Sequence, residues 1–282
     1  MPPAAPDPRD WIGRTETVVD ALASEQSLAA AALFDLDAAH HGPGSTLPLP
    51  WHWFHFLPRA PQSALGDDGH PRLGGFMPPV PYPRRMFAGS RITVHRPLVV
   101  GVPAERTGTI RDVVVKQGRS GALAFVTVGY RIEQRGAIAL EEEQDIVYRE
   151  PGAPVAAPAV QPLAPLPAHA WSRVVVPDTR QLFRFSALTF NAHRIHYDRD
   201  YARDVEGYPA LVVHGPLTAM LLLDLVRRRT DRPVTAFSFR GKAPLFDGAP
   251  IRLVALPDDD RVALEAHAPD GTVALSAEAR LG

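Results

Sequence analysis

A long apolar segment near the C-terminus constrains the fold more than any other feature of the chain. The segment LTAMLLLDLV, within residues 216–229, is apolar nearly all round at helical spacing, which is typical of a helix buried on every side. Pro216 in its first turn and three arginines in its last turn are favourable signals for a helix start and end. Four strands are predicted after this helix and one before it, at 234–246, 250–256, 261–267, 272–280 and 180–189.

The first half of the chain contains the same kinds of element. Residues 16–33 are rich in alanine with apolar residues at helical spacing and predict a helix, whereas WHWFHFL at 51–57 predicts a strand. Glycine-containing hairpin turns separate three further predicted strands, at 104–117, 122–134 and 138–149. A long helix wrapped by a curved antiparallel sheet is the hotdog arrangement. Two such halves predict an α+β fold, a double hotdog.

A connector rich in proline and alanine separates the two halves. Residues 151–170 hold six prolines, seven alanines and no charged residue. Because proline fixes φ and removes a backbone donor, we expect an extended and semi-rigid segment. The chain of 282 residues is therefore divided into an N-terminal hotdog domain at 1–150, the linker at 151–170 and a C-terminal hotdog domain at 171–282.

Composition excludes several classes of protein. The 30 Lys+Arg residues balance 31 Asp+Glu residues to a formal net charge of −1, which argues against a nucleic-acid partner. No apolar run approaches the roughly 20 residues that span a bilayer, and the first residues lack the pattern of a signal peptide. We therefore expect a cytoplasmic protein with no membrane partner. Without cysteine, disulfides, thiolate nucleophiles and Cys-based metal sites are excluded.

Polar functional groups concentrate in two short segments of the second half. FNAHRIHYD occupies 190–198, and VVHGPL at 212–217 leads into the apolar helix. His196 has an intrinsic pKa suited to proton transfer near neutral pH, and Asn191 can hold a water with its amide. The backbone N–H groups around Gly215 lie at a helix N-terminus, where free donors and the helix dipole favour a developing oxyanion. A base, a water holder and an oxyanion site are the groups needed to add water to an unsaturated thioester.

These segments also resemble a known family. FSALTFNAHRIHYDRDYA followed by YPALVVHGPL is similar to the active-site segment of the MaoC-like, (R)-specific hydratase 2 hotdog family, in particular its type 2 hydroxyacyl-thioester dehydratase branch. WHWFHFLP, PRRMFAGSRITVHRPL and KQGRSGALAFVTV in the first half resemble the same branch. His196 takes the place of the family's catalytic His, and Asn191 that of its Asp. His193 and Arg194 replace its Asn-Pro, and Asp198 matches its later Asp. Since an amide cannot act as a base, His196 is expected to transfer the proton alone or with help from His193.

The resemblance also implies a class of substrate. The branch includes mesaconyl-C4-CoA (3-methylfumaryl-CoA) and itaconyl-CoA hydratases, which implies hydration of a branched C5 dicarboxylic acyl-CoA to citramalyl-CoA. CoA is then part of the substrate, and no separate cofactor is expected. The second carboxylate needs a cation, and arginine pairs with it through two hydrogen bonds.

Several residues are candidates for binding this substrate. Arg84 and Arg85 come first, because they end a long loop with seven prolines at 58–85, and loops of this length are often functional. The other candidates for the acyl group are Arg194, His193, His214 and Arg240. Lys116 and Arg119, beside a predicted hairpin turn, are candidates for contacts with the CoA phosphates.

Three alternative functions stay open at this stage. The first is an (R)-3-hydroxyacyl-thioester dehydratase acting on simple enoyl-CoA, and the second is a non-catalytic acyl-CoA-binding protein. The third is a hotdog thioesterase, which usually relies on a carboxylate on the buried helix, where Asp224 is the only acid. A further homodimerisation of the double hotdog is compatible with the pattern.

No metal site is expected from the sequence. His52 and His55 are three residues apart on a predicted strand, so their side chains would point to opposite faces of the sheet. His193 and His196 could approach each other in a turn, but no carboxylate or cysteine completes a site in the sequence around them.

Overall fold

The computed structural model describes residues 6–118, 121–162 and 164–282. The elements of the first half are β1 (Thr15–Asp20), α1 (Ser24–Leu33), β2 (Arg84–Val94), β3 (Ala104–Gly118), β4 (Gly121–Gln134) and β5 (Ala137–Arg149). The elements of the second half are β6 (Trp171–Val175), α2 (Thr179–Leu188), α3 (Gly215–Arg227), β7 (Val234–Gly241), β8 (Ile251–Asp258), β9 (Arg261–His267) and β10 (Val273–Leu281).

The ten strands of the described ranges form one antiparallel sheet. Its strand order is β1-β3-β4-β5-β2-β7-β10-β9-β8-β6, so each half of the chain supplies five neighbouring strands. The two sets meet where β2 pairs with β7, with Gly89 opposite Arg240 and Thr93 opposite Ala236. The architecture is α+β, as the sequence predicts, and its midline is the β2–β7 junction.

Helix α3 is the central helix of the second half. It begins at Gly215 with Pro216 in the first turn, and every residue from Leu217 to Val226 is buried. Its packing partners include β8, β9 and β10. The predicted helix at 216–229 is confirmed within two residues at each end. The strands predicted after it are also confirmed, although the first ends at Gly241.

Two segments predicted as strands are helical. Residues 180–189 lie in α2, where the Asp178 side chain caps the helix by accepting a hydrogen bond from the Gln181 N–H. Leu182 and Phe185 are buried whereas Phe183 is exposed, a helical spacing that the aromatic content of the segment concealed. The segment predicted as a strand at 51–57 begins with a 3-10 helix, Trp51–Phe54. The prediction of strands at 180–189 and 51–57 is therefore wrong.

The predicted helix at 16–33 is also wrong in its first part. Thr15–Asp20 is the edge strand β1, which pairs with β3, and the helix starts only at Ser24. The Asp20 carboxylate accepts a hydrogen bond from the Leu22 N–H, and Leu22 has a positive φ of 46°. This turn separates the strand from the helix.

The principal hydrophobic core extends through both halves. Trp51, Phe54 and Phe56 of the first half belong to the same buried cluster as the apolar residues of α3. A smaller cluster lies at the far end of β3, β4 and β5. In the described part of the connector 151–170 there is no helix or strand. None of the helices in the described ranges has the length and apolar character needed to cross a membrane.

Candidate active site

A cavity of about 1810 Å³ lies between the two halves of the chain. Its walls come from β2, from the loop that precedes β2, from the segment between α2 and α3, and from the N-terminus of α3. Three predicted catalytic residues, Asn191, His196 and Gly215, line it together. The structure thus places these three groups in one cavity, and their catalytic roles stay predictions.

His196 is a buried histidine with one ring nitrogen engaged. Its Nδ1 lies 2.7 Å from the carbonyl oxygen of Val212. Because a carbonyl only accepts, Nδ1 must carry the hydrogen, and the lone pair of the neutral ring is on Nε2. Burial lowers the pKa of His196 to about 4, mainly through loss of solvation. At neutral pH the side chain is therefore uncharged, and Nε2 is a proton acceptor.

His214 stacks on His196 at the start of α3. The two ring centroids are 3.6 Å apart, and the rings are inclined by 21°. The His214 Nε2 lies 2.9 Å from Ser186 Oγ, and burial keeps the pKa of His214 well below its usual value. Among the described residues, the Gly215 N–H has no acceptor. This free donor at a helix N-terminus can polarise a carbonyl group.

Asn191 and His193 are joined in a tight turn. The Asn191 Oδ1 accepts a hydrogen bond of 3.0 Å from the His193 N–H, which leaves the Asn191 amide N–H groups without a partner in the described structure. Burial strongly lowers the pKa of His193, and the charges of His70 and Arg85 lower it further. Asn191 thus fixes the turn with its oxygen and offers its amide hydrogens to the cavity.

The loop before β2 places a further histidine in the cavity, one that was not predicted from the sequence. His70 packs its ring against His193, with centroids 4.1 Å apart. The Asp68 Oδ2 lies 2.8 Å from the His70 Nδ1. The loop is held in place because the Arg194 N–H donates to the Asp68 carbonyl at 2.9 Å, and Arg194 Nη1 to the Asp67 carbonyl at 3.1 Å. The length of this loop was the only sequence signal for its importance.

The predicted substrate-binding arginines occupy different environments. Arg84 lines the cavity but forms a buried ion pair with Glu206 at 3.3 Å. Arg85 lines the cavity, and its side chain makes no hydrogen bond or ion pair within the described ranges. Arg194 is engaged by Asp198 at 2.8 Å. Arg240 is exposed and does not line the cavity. Arg85 is thus the cavity cation of this group that is free to meet an anionic ligand.

The candidate CoA-binding residues lie away from the cavity or outside the described residues. Lys116 is exposed near the hairpin end of β3, with its Nζ 5.3 Å from the centre of the Phe125 ring, and it does not line the cavity. Arg119 lies outside the described residues. Lys242, which is exposed after β7, is a further cation at the cavity rim and was not among the candidates from the sequence.

Asp224, the acid on the buried helix, is engaged in ion pairs. Its Oδ2 lies 2.7 Å from Arg173 and 2.8 Å from Arg228, and the residue does not line the cavity. A carboxylate held in this way is not placed to attack or to activate water at a bound thioester.

The histidines that were considered as metal ligands in the sequence are close to carboxylates in the structure. His52 pairs with Glu142 at 2.9 Å and is satisfied in the interior of the first half. His55 lies 3.4 Å from the Asp20 carboxylate without a hydrogen bond to it, and His55 lines the cavity. A carboxylate does lie near His193, because Asp68 and His70 offer ligand atoms within 4.8 Å of it and of each other. The absence of a metal stays a prediction.

Comparisons with known proteins identify the family of the chain. The family model for hydroxyacyl-thioester dehydratase type 2 matches residues 50–247. A mesaconyl-C(4)-CoA hydratase of Chloroflexus aurantiacus is 62% identical over 272 residues, which cover 96% of this chain and 97% of that protein.

Solved structures show the fold independently. HtdX of Mycobacterium tuberculosis is 20% identical, with a TM-score of 0.67 over 95% of this chain and 100% of that chain. Another protein of M. tuberculosis, described as a double hotdog, is 15% identical, with a TM-score of 0.59 over 99% of both chains. The predicted double hotdog is confirmed. The chain belongs to the hydroxyacyl-thioester dehydratase type 2 family.

Proposed function

We propose that this chain is a hydro-lyase that adds water across the C=C bond of a branched C5 dicarboxylic acyl-CoA, of which mesaconyl-C4-CoA is the leading candidate. The observation that carries the proposal is a cavity in which, among the described residues, a neutral histidine with a free Nε2, a free helix N–H and an arginine with an unpaired side chain occur together. The identity of 62% to a mesaconyl-C(4)-CoA hydratase, over nearly the whole of both chains, supports the same substrate class.

The reaction begins with a water held by the Asn191 amide and the His196 Nε2. His196 takes a proton from this water as the water oxygen bonds to the β-carbon of the substrate. The π electrons of the C=C bond move to the thioester oxygen, which becomes an enolate. The Gly215 N–H stabilises this oxyanion, since its hydrogen bond is stronger to the enolate than to the ground-state carbonyl. Return of a proton to the α-carbon completes the hydration.

The unpaired arginine accounts for the dicarboxylic substrate. In a 3-methylfumaryl thioester the second carboxylate is bonded to the β-carbon, so the cation that holds it must lie next to the hydration centre. Arg85 lines the same cavity as His196, and its positive charge contributes to the lowered pKa of His193, whose ring packs against the His196 ring. Arg84, the other first choice from the sequence, is neutralised by Glu206. We therefore assign the second carboxylate to Arg85.

A substrate panel tests the proposed function. The purified chain is mixed with mesaconyl-C4-CoA, crotonyl-CoA and 3-methylcrotonyl-CoA, in which a methyl group replaces the second carboxylate. We expect loss of the enoyl-thioester absorbance without release of free thiol, fastest with mesaconyl-C4-CoA. Release of thiol would instead indicate a thioesterase. A preference for crotonyl-CoA would favour the simple enoyl-CoA alternative, and binding without turnover of any thioester would favour the acyl-CoA-binding protein.

We also propose a location and an oligomeric state for the chain. A cytoplasmic location fits an enzyme that acts on CoA thioesters. Homodimerisation stays a proposal, and size-exclusion chromatography with light scattering tests it.

A further inference from the structure

The cavity contains a histidine–carboxylate pair that the reaction described above does not use. Asp68 and His70 come from the loop before β2, whereas Asn191 and His196 come from the segment between α2 and α3. The His70 side chain is 17% exposed and lines the cavity. This position gives a bound substrate access to the His70 ring.

Asp68 fixes the tautomer of His70. Its Oδ1 accepts the backbone N–H of His70 at 2.9 Å, and its Oδ2 lies 2.8 Å from the His70 Nδ1. A carboxylate only accepts, so Nδ1 carries the hydrogen and the lone pair of the neutral ring is on Nε2. The same carboxylate can stabilise the imidazolium that forms when Nε2 takes up a proton.

The reaction needs a proton carrier of this kind. Hydration takes a proton from water and returns one to the α-carbon. His196 has only a neutral carbonyl beside Nδ1, so its imidazolium is poorly stabilised and gives up its proton readily. The Asn191 amide cannot carry a proton. His193 lies between His70 and His196, with ring centroids 4.1 Å and 5.3 Å from theirs, but it has no carboxylate partner of its own in the described part of the chain.

We propose that His70, oriented by Asp68, is a second catalytic residue that delivers the proton to the α-carbon. The inference rests on the proposed hydration. After the oxygen–carbon bond has formed, the proton on His196 Nε2 passes through cavity water to His70 Nε2, and Asp68 stabilises the resulting imidazolium. The enolate electrons then form the C–H bond with this proton, the thioester carbonyl is restored, and both histidines are neutral again. Among the described residues, the charged or titratable groups that interact with His70 are Asp68, Arg85, His193 and His196.

The test compares two variants at the pair with a control outside the cavity. His70→Ala removes the proton carrier. Asp68→Asn keeps the shape but reverses the tautomer: its oxygen still accepts the His70 backbone N–H, so its NH2 group faces Nδ1 and leaves the hydrogen on Nε2. The control is His95→Ala, since His95 pairs with Glu141 on the exposed surface and does not line the cavity.

We expect both variants to lower kcat by about 10²–10⁴ with KM little changed, the range for loss of an acid–base group. Free imidazole should restore His70→Ala by about tenfold or more, because it can occupy the vacated space and carry the proton. Circular dichroism checks that each variant is folded. A merely structural role would not give rescue by imidazole.

Two results would overturn the inference. One is a His70→Ala enzyme with a kcat near that of the wild type. The other is a folded, inactive His70→Ala enzyme that imidazole does not rescue. A wild type that hydrates none of the thioesters overturns the proposed function, whereas an active wild type with an active His70→Ala variant overturns only the role of His70.

Discussion

At the scale of single residues, a backbone carbonyl determines what His196 can do. The Val212 oxygen holds the hydrogen of His196 on Nδ1, which leaves Nε2 as the acceptor, and burial keeps the ring neutral at pH 7. His196→Ala should therefore lower kcat by about 10²–10⁴. His169→Ala, an exposed histidine of the connector, is the control and should match the wild type. Steady-state kinetics on mesaconyl-C4-CoA test this prediction. A folded His196→Ala enzyme with a kcat near that of the wild type would contradict the assignment of His196 as the proton acceptor.

Arg85 should determine the preference for a dicarboxylic substrate. Arg85→Met leaves the second carboxylate without a cation in a partly dehydrated cavity, at a cost of about 3 kcal/mol, or roughly a hundredfold in kcat/KM. The rate with 3-methylcrotonyl-CoA, which lacks that carboxylate, should change little. Arg240→Met is the matched control, because Arg240 is exposed outside the cavity. Equal losses on both substrates in Arg85→Met would show that Arg85 does not recognise the carboxylate.

At the scale of elements, the sequence was informative where the pattern is local. Helix α3 was predictable because ten consecutive buried residues follow a proline at its start. The α2 segment was misassigned, because its aromatic residues favour a strand while the capping carboxylate of Asp178 and the spacing of Leu182 and Phe185 favour a helix. In this segment, helix capping and packing outweigh the strand propensity of the aromatic residues.

The candidate site was predictable only in part, for a related reason. Asn191 and His196 are close to each other in sequence, and Gly215 is at the start of α3. The local sequence motif was therefore enough to predict all three as site residues. His70 is 123 residues before His193 and reaches it only because the loop tip docks on the turn at 192–194. No local pattern shows which loop will cover which motif. Long-range docking of this kind requires the structure.

That docking depends on the absence of a side chain at Gly69. A Cβ built there would lie 1.8 Å from the Ala192 carbonyl oxygen, and the φ of +91° is unfavourable for other residues. Gly69→Ala should displace the loop tip with His70 and lower kcat by about tenfold or more, in line with loss of positioning. Gly74→Ala has nearly the same φ, +96°, but no atom within 4 Å of its Cβ. The kcat of Gly74→Ala should stay near that of the wild type, and equal effects in the two variants would rule out the docking argument.

At the scale of the whole molecule, the two halves form one structural unit. They share the β2–β7 pairing and one principal hydrophobic core, and the cavity takes Arg85 and His70 from one half and His196 from the other. The connector at 151–170 therefore separates the two halves along the sequence, but the principal hydrophobic core is continuous across them. The division into domains at 1–150 and 171–282 stays a prediction about independent folding.

The buried histidines should also make the whole fold sensitive to acid. Burial lowers the pKa values of His193, His196 and His214 below the ordinary value of 6.5. Between these lowered values and 6.5 the unfolded chain binds more protons than the folded chain, so stability falls as pH falls through this window. With a folded pKa of about 4, His196 alone should remove on the order of 2 kcal/mol from the free energy of unfolding between pH 7 and 5.

Urea unfolding at pH 7 and pH 5 measures this effect, with His196→Gln as the comparison. The raised pKa of Glu206 opposes the loss of stability that the histidines cause as pH falls. The lowered pKa values of Asp20 and Glu142 reduce stability at more acidic pH, below the ordinary pKa values of carboxyl groups. The variant isolates one histidine from this background: its loss of stability between pH 7 and 5 should be smaller than that of the wild type by on the order of 2 kcal/mol. If the wild type and His196→Gln lose the same stability between pH 7 and 5, His196 is charged in the folded state at pH 5. The prediction that His196 Nε2 is a neutral proton acceptor would then be wrong at that pH.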